Sequence, residues 1–174
     1  MADKFRVALS GDFRKADGSP TFPDFDVTPL QTAPGVEMVY LENANPIRAD
    51  QVADFDALIL LMPRFGRESI HPNGRLSVVA RFGVGYDTVD VPACTEAGIP
   101  LCITPDGVRR PVAVSIMALM LALTGKMLIK DKLTRSGPEA FARRVDHMGV
   151  GLVGRTLGPT RIRNTGAAWR SPST

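Results

Sequence analysis

Short apolar runs separated by polar turns fill the first hundred positions of the chain. Phe5-Arg6-Val7-Ala8-Leu9 leads into Ser10-Gly11 and predicts a first strand. Residues 36–41 predict a second, with Val36, Met38 and Tyr40 alternating with Glu37 and Val39. Residues 57–62 are apolar throughout, as suits a parallel strand buried on both faces. Residues 76–82 and 100–104 supply two more. A short helix is predicted over 47–55, with Asn45 as N-cap and Pro46 at its first position. Another is predicted over 91–97, closed by Gly98. Residues 11–34 hold Pro20, Pro23, Pro29 and Pro34 and predict loop with at most one short helix. Strands alternating with short helices mean an α/β fold around a parallel sheet. In such sheets ligands sit at the carboxyl ends of the strands.

The pattern then changes period. From Arg110 or Pro111, Val112, Ile116, Leu119, Met120 and Leu123 recur at helical spacing. Ala113, Met117, Ala118, Leu121 and Ala122 fill the other faces, so this long helix is expected to be buried on nearly every side. Lys126, Lys130, Lys132 and Arg135 gather near its end, which suits the helix dipole. Its most apolar stretch, 112–123, is too short to span a membrane. Residues 136–148 predict loop, with a possible short helix over 139–145.

Composition narrows the classes. The chain has 174 residues, enough for one domain or one and a fragment, and 44% hydrophobic content argues against wholesale disorder. Net charge is +3, from 21 basic and 18 acidic residues. The basic excess lies toward the end, from Arg135 to Arg170. It carries no aromatic platform or nucleic-acid motif and fits a solvated terminus better than a nucleic-acid surface. Cys94 and Cys102 have no metal-ligand partners at suitable spacing, so no metal site is expected. They fit reduced thiols in a cytoplasmic protein. No long apolar segment opens the chain, so no secretion signal is expected.

The candidate chemistry centres on Arg81-Phe82-Gly83-Val84-Gly85-Tyr86-Asp87-Thr88-Val89-Asp90. An apolar strand ends in two glycines that turn the backbone. Neighbouring N–H groups without bulky side chains hold a carboxylate or another small anion. Arg64 falls at the end of the preceding strand. Its guanidinium suits bidentate carboxylate binding, although a solvated loop arginine is the plainer account. Asp87 and Asp90 form a paired-carboxylate candidate, set against simple capping of the loop and the next helix. His71 precedes a proline in a loop, and His147 has no nearby acid at catalytic spacing, so neither is assigned as a general acid. Arg109-Arg110 fits ordinary helix-flanking charge.

This run continues into Ala93-Cys94-Thr95-Glu96-Ala97-Gly98-Ile99, then Ile103-Thr104-Pro105 and Gly107-Val108-Arg109-Arg110-Pro111-Val112-Ala113. In that order and spacing it resembles the D-isomer-specific 2-hydroxyacid dehydrogenases, over roughly residues 5–158. The resemblance implies a flavodoxin-like parallel sheet forming the N-terminal portion of a substrate domain over 1–108. It implies a linking helix and lead-in to a dinucleotide-binding domain over 109–158, and leaves 159–174 as a degenerate or truncated, irregular tail. It also implies that the Val84 and Gly85 amides hold the carboxylate of a 2-hydroxy or 2-oxo acid, while hydride passes between its C2 carbon and NAD. The family's long helix lies in the interdomain and dimer interface, so a homodimer, or pairing with a full-length relative, is expected. No nucleic acid or membrane partner is implied. The family's catalytic Arg, Glu and His come from later segments and none is placed here.

Two departures qualify that picture. After Thr156-Leu157-Gly158 the family pattern continues into a glycine-rich phosphate loop, whereas this chain reads Pro159-Thr160-Arg161-Ile162-Arg163-Asn164-Thr165-Gly166. Asn164 and Gly166 match, but Arg161 and Arg163 stand where glycines make the turn and admit the pyrophosphate. Val114 stands where a Glu is usual. The expectation is a chain that neither binds NAD nor turns over substrate alone. The alternative is a non-catalytic ligand-binding or dimerisation remnant. The acid, and the choice of NAD or NADP, stay open.

Overall fold

The computed structural model describes residues 4–158. Five strands, β1 (Phe5–Leu9), β2 (Val36–Tyr40), β3 (Ala57–Leu60), β4 (Val78–Arg81) and β5 (Leu101–Ile103), form one sheet. The order is β2-β1-β3-β4-β5 and every pairing is parallel, the flavodoxin-like arrangement. Successive side chains leave opposite faces of a strand, so each face gathers its own core. Ala8, Leu58, Leu60 and Val79 point to one side, where they pack with Ile47, Val52, Phe65, Cys94 and Ile99. Val7, Leu9 and Ala57 point to the other, with Phe13, Leu61 and the partly buried Phe25, Tyr40 and Phe82. With both faces covered, the strands need no alternation, which is why β3 is a continuous apolar run.

The connecting helices are short: α1 (Thr28–Thr32), α2 (Ala49–Val52) and α3 (Val91–Glu96). Asp90 caps α3, its Oδ1 accepting from the Ala93 amide at 3.0 Å. Gly98, at φ +70°, lets the chain leave. The expected start of the earlier helix needs correction. The Asn45–Pro46 bond is cis, α2 begins at Ala49, and Asn45 Oδ1 accepts from the Arg64 amide at 2.9 Å instead of capping a helix.

The chain divides into two compact units after Pro105. The second carries α4 (Pro105–Thr124), α5 (Met127–Arg135), α6 (Pro138–Ala142) and a 3-10 turn over Arg143–His147. α4 starts ahead of the predicted Arg110. Pro105 suits a first helical position, and Asp106 in the first turn pairs with Arg109 at 3.2 Å. Pro111 lies inside the helix and forgoes the bond to the Gly107 carbonyl. The helix ends at Gly125, and Lys126 takes a left-handed φ of 55°. Lys130, Lys132 and Arg135 therefore belong to α5.

The burial expected of the long helix is also corrected. Within α4 only Ala113 is buried, and Val114, Leu119 and Leu123 are 68%, 65% and 71% exposed. The reason is local: α5, α6 and the 3-10 turn pack chiefly on one another. At 20 residues α4 also exceeds the apolar stretch read from the sequence, and by length and composition alone it is long enough to cross a membrane. Core helices of soluble proteins share that property.

At the amino ends of the strands, Asp56 ties the sheet together. Its carboxylate accepts from the Arg6 amide at 2.7 Å and pairs with Arg75 at 3.2 Å. Burial works to raise its pKa, but the Arg6 hydrogen bond, the Arg75 hydrogen bond and both positive charges outweigh it, and the net shift is downward. A carboxyl whose folded pKa lies below its unfolded value, about 3.9, stabilises the fold above that pH and loses this contribution as pH falls through the lower folded value. Asp56→Asn is expected to cost about 1–2 kcal/mol at pH 7. In urea unfolding the gap from the unsubstituted chain closes as the solution is acidified. A gap constant across the acid range would contradict this account.

Candidate carboxylate-binding site

The strand order reverses between β1 and β3, and a crevice opens outside their carboxyl ends. Ser10, fully buried, joins the two ends. Its hydroxyl accepts from the Leu61 amide at 3.0 Å and donates to Asp12 Oδ1 at 2.6 Å. Asp12 Oδ2 in turn accepts from the Met62 amide at 2.9 Å. A cleft of about 350 Å³ lies here, lined by Asp12, Asn43, Ala44, Asn45, Met62 and Pro63. A Cβ on Gly11 would sit 2.6 Å from the Asn43 nitrogen, so glycine is what lets these loops meet.

The loop after β3 is fixed by its backbone. Buried Phe65 donates its amide to the Thr88 carbonyl at 2.9 Å, and its carbonyl accepts from the Asp90 amide at 2.9 Å. The Arg64 carbonyl accepts from the Ile47 amide at 2.9 Å. Arg64 thus has an anchored backbone and an exposed side chain, and its guanidinium makes no ion pair among the described residues. It lines a second cleft, of about 280 Å³, together with Glu68, Asp87 and Asp90.

The loop after β4 is held just as closely up to one point. The Phe82 amide donates to the Leu60 carbonyl at 2.8 Å, extending the β3–β4 ladder. The Phe82 ring packs on Phe25, Phe13 and Phe22, with centroids 4.7, 5.4 and 5.5 Å away. Arg81 Nη1 donates to the Phe82 carbonyl. Gly83 is pinned twice by Thr104. The Gly83 amide donates to Thr104 Oγ1 at 2.8 Å, and the Gly83 carbonyl accepts from the Thr104 amide at 2.8 Å. Beyond it the pattern stops. Among the described residues nothing accepts a hydrogen bond from the Val84 or Gly85 amide, and Gly85 is exposed. Two consecutive donors therefore stand free at the end of a rigid strand, an arrangement suited to an anion.

Val84, Gly85 and Arg64 thus all lie at the carboxyl edge. The structure brings Arg64 together with Asp87 and Asp90, whereas Val84 and Gly85 do not line that cleft. Asp90 also serves α3. Sequence reasoning passed over Ser10, Asp12, Asn45 and Thr104. The rule that ligands gather at carboxyl ends points to the first three, but nothing local ties Thr104 to Gly83. His71 accepts from the Asn73 amide at 3.3 Å within its own loop. Cys94 is buried and Cys102 exposed, and neither is disulfide-bonded. Burial, with the Asp90 charge second, pushes the Cys94 thiol pKa up. The candidate phosphate-loop positions Arg161, Arg163 and Gly166 lie outside the described residues. Gly149, Gly151 and Gly154 also fall at G-x-G-x-x-G spacing. They follow a 3-10 turn in irregular chain, without the strand before and helix behind that such a loop requires.

The family model for the catalytic domain of D-isomer specific 2-hydroxyacid dehydrogenases matches residues 22–115, more than half of the chain. The glyoxylate reductase of Pyrococcus furiosus is 34% identical over 124 residues, covering 68% of this chain and 37% of that protein. The chain therefore spans well under half the length of this curated relative. Among solved structures, a 2-hydroxyacid dehydrogenase from Ketogulonicigenium vulgare superposes with a TM-score of 0.66 at 24% identity, over 95% of this chain and 49% of that one. An NADPH-dependent glyoxylate/hydroxypyruvate reductase from Sinorhizobium meliloti, in complex with citrate, gives 0.62 at 25% identity, over 97% and 49%.

The geometry of the β4 loop has a direct consequence for stability. Gly83 takes φ +137°, and a Cβ there would meet Arg81 Nη1 at 2.7 Å. Gly83→Ala is expected to destabilise the chain by about 1–3 kcal/mol. Urea unfolding measures it, and a loss under a few tenths would show that the loop is not held in this conformation.

Proposed function

The chain belongs to the D-isomer specific 2-hydroxyacid dehydrogenase family, and from that premise we propose that it binds the carboxylate of a small 2-oxo or 2-hydroxy acid. The observation that carries this reading is the pair of unpartnered amides at Val84 and Gly85, held at the carboxyl end of β4. A carboxylate presents two oxygens and the loop presents two adjacent donors. Arg64 is the second contact, supplying charge from the neighbouring loop. The acid is of the glyoxylate or hydroxypyruvate class, the substrates in the names of the Pyrococcus and Sinorhizobium relatives.

In the complete activity, hydride passes between C2 of the acid and a nicotinamide cofactor, NAD or NADP. Residues 1–108 supply the N-terminal portion of the substrate domain, and 109–158 the linking helix and the lead-in to the cofactor domain. The described residues fix the acid and orient its carboxylate. The family's proton-exchanging residues come from later segments, and these 174 residues alone are expected not to turn over substrate. Two thiols without a disulfide suit a reducing compartment, the cytoplasm.

Oxalate, an unreactive mimic of glyoxylate, is the probe. Titration of the 15N-labelled chain is expected to move the Val84 and Gly85 amide resonances first. Arg64→Gln is expected to weaken oxalate about 3–10-fold, with folding unchanged, because an exposed charge-assisted contact is lost. Calorimetry measures that loss. Equal affinity would assign Arg64 to solvent and leave the amides to carry the site. Oxidation of NADH by the purified chain with glyoxylate or hydroxypyruvate would overturn the claim that it is inactive alone.

A second reading, a non-catalytic dimerisation remnant, draws on the exposed apolar surface of α4 and α5, where Val114, Leu119, Leu123 and Leu128 are each at least 65% exposed. A second copy of the chain is the expected cover. Light scattering coupled to size exclusion is expected to give the mass of two chains, and a clean monomer would remove this reading.

A further inference from the structure

The free amides at Val84 and Gly85 raise a question of how they are kept free. A loop of five residues between Gly83 and Val89 has many ways to satisfy its own donors by turning inward. The loop closes one such turn, from the Val89 amide to the Tyr86 carbonyl at 2.9 Å, while Gly83 is held from outside it. Phe82 is fixed by the ladder bond to Leu60 and by three aromatic rings. Thr104, just past the end of β5, then grips Gly83 from the other side. Its hydroxyl accepts from the Gly83 amide at 2.8 Å, its amide donates to the Gly83 carbonyl at 2.8 Å, and the hydroxyl lies 3.4 Å from that same carbonyl. Both backbone groups of one glycine are thus consumed by one residue, 21 positions away. The ladder pair Arg81↔Ile103 sets the distance at which this grip closes.

From this geometry we propose that Thr104 is a positioning residue for the anion loop: its hydroxyl and amide lock Gly83 at φ +137° and so present the Val84 and Gly85 amides outward to the acid. The inference rests on the reading that these amides bind a carboxylate, and it adds the residue that sets their direction. Thr104 itself does not touch the acid. Its hydroxyl is the part that matters, because the amide-to-carbonyl bond survives any substitution that keeps the backbone. Valine is nearly isosteric with threonine and leaves the Gly83 N–H without its acceptor. Serine keeps the acceptor.

The test uses the full chain as Thr104→Val and Thr104→Ser, with oxalate as probe. In the valine variant, hydrogen exchange at the Gly83 amide is expected to speed up about 10-fold, while the unfolding midpoint stays close to that of the unsubstituted chain. Oxalate affinity is expected to fall about 10-fold, and the Val84 and Gly85 resonances should broaden or lose their response to the probe. Serine should restore exchange, affinity and response together. A valine variant that binds oxalate as tightly as the unsubstituted chain, or a serine variant no better than valine, would overturn the proposal. Should the unsubstituted chain show no oxalate response at Val84 and Gly85, the substrate-site reading fails first. Gly83 exchange in the two variants then still decides whether the hydroxyl holds the loop. If the valine variant does not fold, protection of Gly83 in the serine variant relative to its neighbours decides the same point.

Discussion

The backbone ladder between β3 and β4 sets the geometry on which the site depends. It runs in register from Ala57↔Val78 to Leu60↔Arg81, and the Phe82 amide adds one more bond to Leu60 beyond the strand proper. Phe65 then meets Thr88 and Asp90, so the two outgoing loops stay joined past the sheet edge. Leu60 pairs with Arg81 but Phe65 bridges to Val89, so the loop after β4 takes up three more residues than the loop after β3, and Val84 and Gly85 lie in that excess. A slip of one residue would send every side chain of β4 to the opposite face and bury what is now presented. The cores on the two faces forbid that slip, since Val79 belongs to one and Val78 packs against the other. Burial of apolar strands thus sets the position of polar loops.

Much of this was legible in the sequence because it is local. The apolar runs mark the strands, Asp90 and Gly98 bracket a helix at the expected offsets, and the glycines after β4 announce a turn. The misreadings were also physical. Pro46 looked like a helix start, but Asn45 spends its side chain on the Arg64 amide, and the helix waits until Ala49. Pro111 looked like another start, yet one missing N–H inside a long helix is tolerated, and Pro105 with Asp106 makes the better beginning. The all-round apolar pattern of α4 spoke for burial, but pattern records what a segment would cover, and the cover need not lie in the same unit. The Ser10–Asp12 link and the Thr104 grip are contacts between distant positions, for which a single sequence carries no periodicity to read.

The amides and Arg64 differ in what each must lose when an anion binds. Val84 and Gly85 donate from backbone already held at Gly83, so little conformational freedom is lost when an anion arrives. Arg64 ends a long exposed side chain and shares its cleft with Glu68, Asp87 and Asp90. Two unit charges about 4 Å apart in water attract by only about 1 kcal/mol, and three carboxylates at the cleft wall compete for the same guanidinium. On the proposed reading, orientation comes from donors that do not move. A dehydrogenase needs orientation most, because hydride is delivered to one face of C2. On the same proposed reading, the residues that fix the loop set how the acid is oriented, although none of them touches it.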